Sequence, residues 1–284
     1  MMFYKREDIL KKKWEKNSNF EFGRQILHHR ISYITCNDSL FLSSVKKYDL
    51  IINLGSGYGI WSINLAKEIN SGAIINIDNQ EYDVYEALKM IEDNEYDSYG
   101  QEVNIIFKNI DLKKEEICFK NNTIDFIYQR DMLSVYNIDE WNNITKEIFR
   151  VLKIGGYIEL LEYNPFIKHD TINKNNKYSD IINNYLINTL KKNRYVHDPF
   201  LLKEVMESYF DINNITIKKE ILPLYYNNKF KDYCINVLIL SYRHFEKEIE
   251  KYIGYSFDIF IEQIKKEWNN NKSYIELYII IAKK

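Results

Sequence analysis

Residues 51–61 read Ile-Ile-Asn-Leu-Gly-Ser-Gly-Tyr-Gly-Ile-Trp, and this stretch decides the fold. A short apolar run ends at Leu54 in three glycines, Gly55, Gly57 and Gly59, at alternate positions. The segment Ile60–Ile69, with helical spacing, follows at once. This is the pattern of a strand, a tight turn and a helix start. Glycine permits positive φ and lets a ligand come close to the main chain. A helix N-terminus adds free N–H groups and a partial positive charge. The turn is therefore expected to hold a nucleotide-like cofactor.

The spacing narrows the choice of cofactor. A dinucleotide turn wants G-x-G-x-x-G. Here the order is G-x-G-x-G, and Ile60 stands where the third dinucleotide glycine belongs, which weakens a nicotinamide reading. Downstream, Ala73–Ile77 reads as a second strand ending in Asp78. A carboxylate at that tip can accept both hydroxyls of a ribose. Together the two signals fit S-adenosylmethionine (SAM), with Gly55, Ser56, Gly57, Gly59, Asp78 and Asn79 around it.

Working outward, strand and helix signals alternate from Asp49. The strands expected are Asp49–Leu54, Ala73–Ile77, Val103–Phe107, Thr123–Tyr128 and Tyr157–Glu162. Helices are expected at Ile60–Ile69, Glu81–Asn94 and Asp139–Leu152, the last with Trp141, Ile144, Ile148 and Val151 on one face. Such βα alternation implies a parallel sheet with right-handed crossovers. After Asn164-Pro165 the rhythm changes. Helices are expected at Tyr178–Lys192, at Pro199–Phe210 with Asp198 as N-cap, and at Phe230–Ile253 and Ser256–Asn269. Ile212–Leu222 and Tyr274–Ala282 read as strands. The fold class expected is α/β, a Rossmann-like sheet in the order 3-2-1-4-5-7-6 with its last strand antiparallel. No Pro-, Gly- or Ser-rich linker divides the chain. It reads as one domain over 1–284: an N-terminal helical segment to residue 45, a cofactor-binding core over 46–164, and covering helices with the last two strands over 165–284.

Composition excludes some functions. The 284 residues carry a net charge of −2, so nothing draws the chain as a whole to nucleic acid or to an anionic membrane. No apolar stretch reaches the length of a membrane span. Cys36, Cys118 and Cys234 are odd in number and show no metal or disulfide pattern, which points to a reducing, cytoplasmic setting, with the nucleus as an alternative. No apolar segment marks a secretory signal near Met1. The runs Lys11–Lys13 and Lys265–Glu267 read as solvated helix faces, and Trp61 and Trp141 as core.

These motifs resemble the class I SAM-dependent methyltransferases, and among them the fungal branch related to the LaeA regulator, often called UMTA-like. That branch carries D-x-G-x-G-x-G-x-W, here Asn53 through Trp61. Its G-x-D appears as Asn76-Ile77-Asp78. Its F-D-F-I-H-x-R appears as Ile124 through Arg130, and its L-K-P-G-G-Y-x-E-x-x-E as Leu152 through Glu162. Glu21, Arg24 and His29 match an E-x-x-R…H pattern ahead of the sheet. The resemblance implies SAM as cofactor. It places Asn53 at the amino end, Asp111 and Leu112 beside the adenine, and Gln129 and Arg24 on the cofactor. Arg130, Glu162 and His29 are then the candidates to orient an acceptor or take its proton. Asn53 replaces the branch's usual acid and so loses a charge. Ile110 replaces one acid of a pair, leaving Asp111.

Methyl transfer from a sulfonium needs position more than acid–base help, and orientation alone can contribute roughly 7–11 kcal/mol. No N-P-P-Y-type motif follows strand four, and no basic patch with interleaved aromatics marks an RNA surface. The acceptor expected is a small molecule held in the Tyr- and Phe-rich second half, ahead of a protein. A catalytically idle relative with a binding or regulatory role is the alternative, and Asn53 favours it.

Overall fold

The computed structural model describes residues 20–45, 49–69, 72–80, 103–170, 176–192, 194–225 and 228–284. The expected helix Glu81–Asn94 lies outside them, as does the Lys11–Lys13 run. Seven strands form one sheet: β1 Leu50–Leu54, β2 Gly72–Asp78, β3 Val103–Asn109, β4 Ile124–Arg130, β5 Leu152–His169, β6 Ile215–Pro223 and β7 Ser273–Lys283. Their order is β3-β2-β1-β4-β5-β7-β6, as expected. The first five pair in parallel. β7 lies between β5 and β6, antiparallel to both.

Eight α-helices accompany the sheet among the described residues: α1 Phe20–Thr35, α2 Ile60–Glu68, α3 Ile138–Val151, α4 Lys177–Lys192, α5 Pro199–Glu207, α6 Lys229–Arg243, α7 Glu246–Ile253 and α8 Phe257–Asn271. Strand side chains alternate between the faces, so each face carries its own core. Ile51, Phe126 and Leu161 join Leu27 of α1, Trp61 of α2, Leu238 of α6 and Trp268 of α8. Ile52, Ile127 and Leu160 join Trp141 and Ile148 of α3 and Leu202 of α5. Both predicted core tryptophans are buried. Trp61 stacks on Tyr128 at 4.0 Å and donates from Nε1 to the Leu40 carbonyl.

Three expectations need correcting. The helix expected over Phe230–Ile253 is two, broken at His244-Phe245. No Gly or Pro marks that break. Arg243 ties Glu246 at 3.1 Å and Asp258 at 2.9 Å, and His244 reaches Glu21 at 3.2 Å, so tertiary contacts turn the chain there. β5 runs past Glu162 to His169, with its register against β7 broken between Asn164 and Lys168, at Pro165. Proline has no N–H for the ladder. Glu267 does not lie on a solvated face: it is buried and accepts the N–H groups of Tyr178 and Ser179 at the start of α4, both at 2.8 Å.

Candidate active site

The site forms where β1, β2 and β4 end, beside Glu162 of β5. All three glycines after β1 are left-handed, with φ of 60°, 52° and 71° at Gly55, Gly57 and Gly59. A Cβ at these positions would come within 2.4 Å of Met132 Sδ, 2.3 Å of Gln25 Oε1 and 2.7 Å of Phe107 Cζ. The left-handed backbone favours glycine at all three, and a Cβ would displace Met132, Gln25 or Phe107. Gly59 is also the N-cap of α2.

Asp78 ends β2 and faces this turn. One carboxylate oxygen accepts the Gly57 N–H at 2.9 Å, and the other accepts the Gln80 N–H at 3.1 Å. Burial raises its pKa against those two bonds. Ser56 donates its N–H to the Ile77 carbonyl at 3.2 Å, and the neighbouring Asn79 is exposed. Asn53 points beneath the turn. Its amide donates to Ser62 Oγ at 3.0 Å and to Asn76 Oδ1 at 3.1 Å, in a buried network.

After β3, Asp111 accepts the Lys113 N–H and pairs with Lys114 at 2.8 Å, which lowers its pKa. Leu112 packs on the second core. Tyr136, which the sequence reading did not single out, is buried with its hydroxyl in the combined field of Asp78, Glu162 and Asp111. Burial first, then those carboxylates, push its pKa up. Its only signal in the sequence is its place after β4, just ahead of the α3 capping box.

Glu162 is fully buried. One oxygen accepts the N–H groups of Met132 at 2.8 Å and Leu133 at 2.7 Å; the other lies 3.4 Å from Gln129 Nε2. Burial, with the Asp131 charge nearby, pushes its pKa up to about 8. Glu162 is therefore protonated at neutral pH. Gln129 Oε1 is buried with no partner. Turning that amide over would set its oxygen opposite a protonated Glu162 Oε1 and move the missing partner to its nitrogen.

α1 closes the crevice from the other side. Arg24 bonds Glu21 twice, at 2.7 and 2.8 Å, and Asp131 at 2.9 Å. Gln25 accepts the Tyr58 N–H at 3.0 Å, inside the glycine turn, and donates to Glu21 at 2.9 Å. Gln25 was not foreseen; its i,i+4 spacing from Glu21 was the available clue. His28, rather than the expected His29, is the imidazole that reaches Asp131, at 3.3 Å, and Arg24, at 2.9 Å. Burial drives both histidines down to about 3, so both are neutral. His29 lies near the Tyr33 ring and feels the Arg130 charge. Arg130 ends β4 with Nη1 buried and unpaired, near His28, His29 and Tyr163. Arg24, Asp131 and Arg130 thus converge at the end of β4, beside Glu162 within β5, and Asn53 stays below.

Residues 51–156 match the family model described as a methyltransferase domain. Comparison with curated proteins finds no match. Among solved structures, the chain is similar to phosphoethanolamine N-methyltransferase 2 of Haemonchus contortus, in complex with phosphomonomethylethanolamine and S-adenosylhomocysteine. That match has 13% identity and a TM-score of 0.53, over 95% of this chain and 59% of the other. A second structure of that enzyme, with SAM, matches at 14% identity and a TM-score of 0.50, over 96% and 60%. The YcgJ protein of Bacillus subtilis matches at 16% and 0.50, over 90% and 99%. The chain spans about 60% of the length of the Haemonchus enzyme, and at these identities the likeness is one of fold. The chain has the class I methyltransferase fold, and its residues 51–156 carry the sequence of a methyltransferase domain.

Proposed function

We propose that this chain transfers a methyl group from SAM to a small-molecule acceptor. One observation carries the reading. Three glycines, all left-handed, join β1 to α2 in a methyltransferase sheet, and Asp78 at the tip of β2 is bonded into their turn. The residues present fit the cofactor. Gly55, Ser56, Gly57 and Gly59 form the cradle, Asp78 and Asn79 meet the ribose, and Asp111 and Leu112 border the adenine. Gln129 and Arg24 lie toward the amino acid end, and Asn53 supports the cradle from beneath through Ser62 and Asn76. SAM supplies a methyl group already activated on sulfonium.

The protein's part is then to position and to exclude water. Glu162, protonated, holds the Met132-Leu133 turn in place. Arg130 offers an unpaired guanidinium N–H to orient the acceptor. His29, the expected base, lies by the Tyr33 ring with its pKa driven down to about 3, so it is a weak proton acceptor and the transfer rests on position. A small acceptor agrees with the net charge of −2. We read the whole chain as one domain, of the LaeA- and UMTA-like branch. Its cysteines, none in a disulfide, point to a reducing, cytoplasmic setting. Among the described residues no helix is long and apolar enough to cross a membrane.

A second reading has one observation in its favour. Asn53 directs its amide into the Ser62–Asn76 network, where relatives of the proposed branch carry an acid. That suits a catalytically idle binding or regulatory protein. Calorimetric titration with SAM and S-adenosylhomocysteine, followed by a transfer screen with methyl-labelled SAM against small acids, phenols and a protein extract, separates the two. Binding with label in small molecules is the expected result. Label only in protein rejects the small acceptor, and no binding of either nucleoside rejects methyl transfer.

A further inference from the structure

We infer that the cavity between α1, α6 and α8 is a second binding site, for a small anionic molecule with an apolar body. The cavity has a volume of about 800 Å3, within the roughly 300–1,000 Å3 of small-ligand pockets. Its floor is apolar, made by the buried Leu27, Leu224 and Ile235 with the ring of Tyr233. Its rim is cationic. Arg30 comes from α1, Lys229 and Lys231 from the first turn of α6, and Lys265 and Lys266 from α8; among the described residues that line it, Asp232 is the one carboxylate.

The chain as a whole is slightly acidic, so this gathering of cations is not inherited from a basic composition. Some of it is answered internally. Lys231 lies 3.6 Å from Asp232, and Arg30 leans on Tyr233, 3.5 Å from its hydroxyl and 5.5 Å from its ring centre. Lys265 and Lys266 have no acidic partner among the described residues. An anion bound among them would give Lys265 and Lys266 a counter-charge. A bare anion leaves the floor wet, and an uncharged apolar molecule leaves Lys265 and Lys266 unanswered. A ligand that joins a phosphate, sulfonate or carboxylate to an aromatic or short acyl body meets both demands.

The cavity is separate from the glycine crevice. At 100° per residue, Arg30 lies about 160° around α1 from His28. Arg24, Gln25 and His28, which face the crevice, do not line the cavity. The inference therefore stands whether or not the chain transfers methyl groups.

The test is a titration of the whole chain with 1-naphthyl phosphate, followed by naphthyl fluorescence, with 1-naphthol and inorganic phosphate as its two halves. One saturable site is expected, with each half binding at least tenfold more weakly than the whole. The double variant Lys265→Glu, Lys266→Glu should weaken binding at least tenfold and leave SAM binding unchanged. The milder Lys265→Gln, Lys266→Gln pair should give a smaller loss in the same direction, and serves if the charge reversal perturbs folding. Raising the salt should weaken binding. Naphthyl phosphate that binds no tighter than phosphate, or binding indifferent to both double variants, overturns the inference. So does retention on phosphatidylcholine–phosphatidic acid vesicles without binding of free naphthyl phosphate, which would assign the face to a membrane.

Discussion

Asp78 divides its oxygens between the Gly57 and Gln80 N–H groups, so it shapes the turn as well as facing the proposed ribose. Replacing it by Ala removes a charged acceptor. SAM affinity should fall by about 1.5–3 kcal/mol, the range for a hydrogen bond to a charged group. Asp78→Asn keeps one acceptor for Gly57 and should lose less. Calorimetry on both variants checks this, and unchanged affinity in Asp78→Ala would refute the ribose role. Glu162 makes a different prediction. Its folded pKa of about 8 exceeds the ordinary 4.5, so the folded state holds a proton that the unfolded chain releases. Its stabilising effect is complete below pH 4.5 and is lost as pH rises toward 8, at up to about 1.4 kcal/mol per pH unit. The neutral histidines act the opposite way, losing stability as pH falls from 6.5 toward 3. Glu162→Gln keeps a carbonyl for the two N–H groups and removes only the Glu162 slope. Urea melts at pH 5 and pH 8 should show the variant gaining on the wild type at pH 8. Parallel curves would place the Glu162 pKa in its ordinary range.

At the scale of the element, α3 is the helix whose start is most fully specified. Asn137 accepts the N–H groups of Asp139 and Glu140, both at 3.0 Å, while Glu140 accepts the Asn137 N–H at 2.8 Å, a complete capping box. Asn137→Ala should cost about 1 kcal/mol, within the usual 0.5–2 for a lost N-cap. A shift in the urea midpoint with an unchanged slope measures it. Such local signals were legible: the glycine turn, the Asp198 cap of α5 and the face of α3 all stand in the chain where the structure has them. The α6–α7 break was not, because long-range partners of Arg243 and His244 make it. The reach of Gln25 into the glycine turn was hidden for the same reason: 33 residues separate it from Tyr58. The direction of Asn53 was hidden too, because a strand residue's partners depend on which neighbours flank it.

For the whole molecule, the order of strands follows from alternating βα units and a late strand pair, both visible in the chain. The partner of each buried charge was not visible. Glu159, for one, accepts the Leu42 and Ser43 N–H groups from far away in sequence. The place of β7 has a temporal consequence. β6 touches the sheet only through β7, and β7 comes after it in the chain. On the ribosome, β1 to β5 can assemble as they emerge, but β6 has no edge to join until β7 has followed. Through that interval the outer edge of β5, an 18-residue strand, is open. A long uncovered edge invites pairing with another chain, so the nascent protein should lean on chaperones most heavily between the emergence of β5 and that of β7.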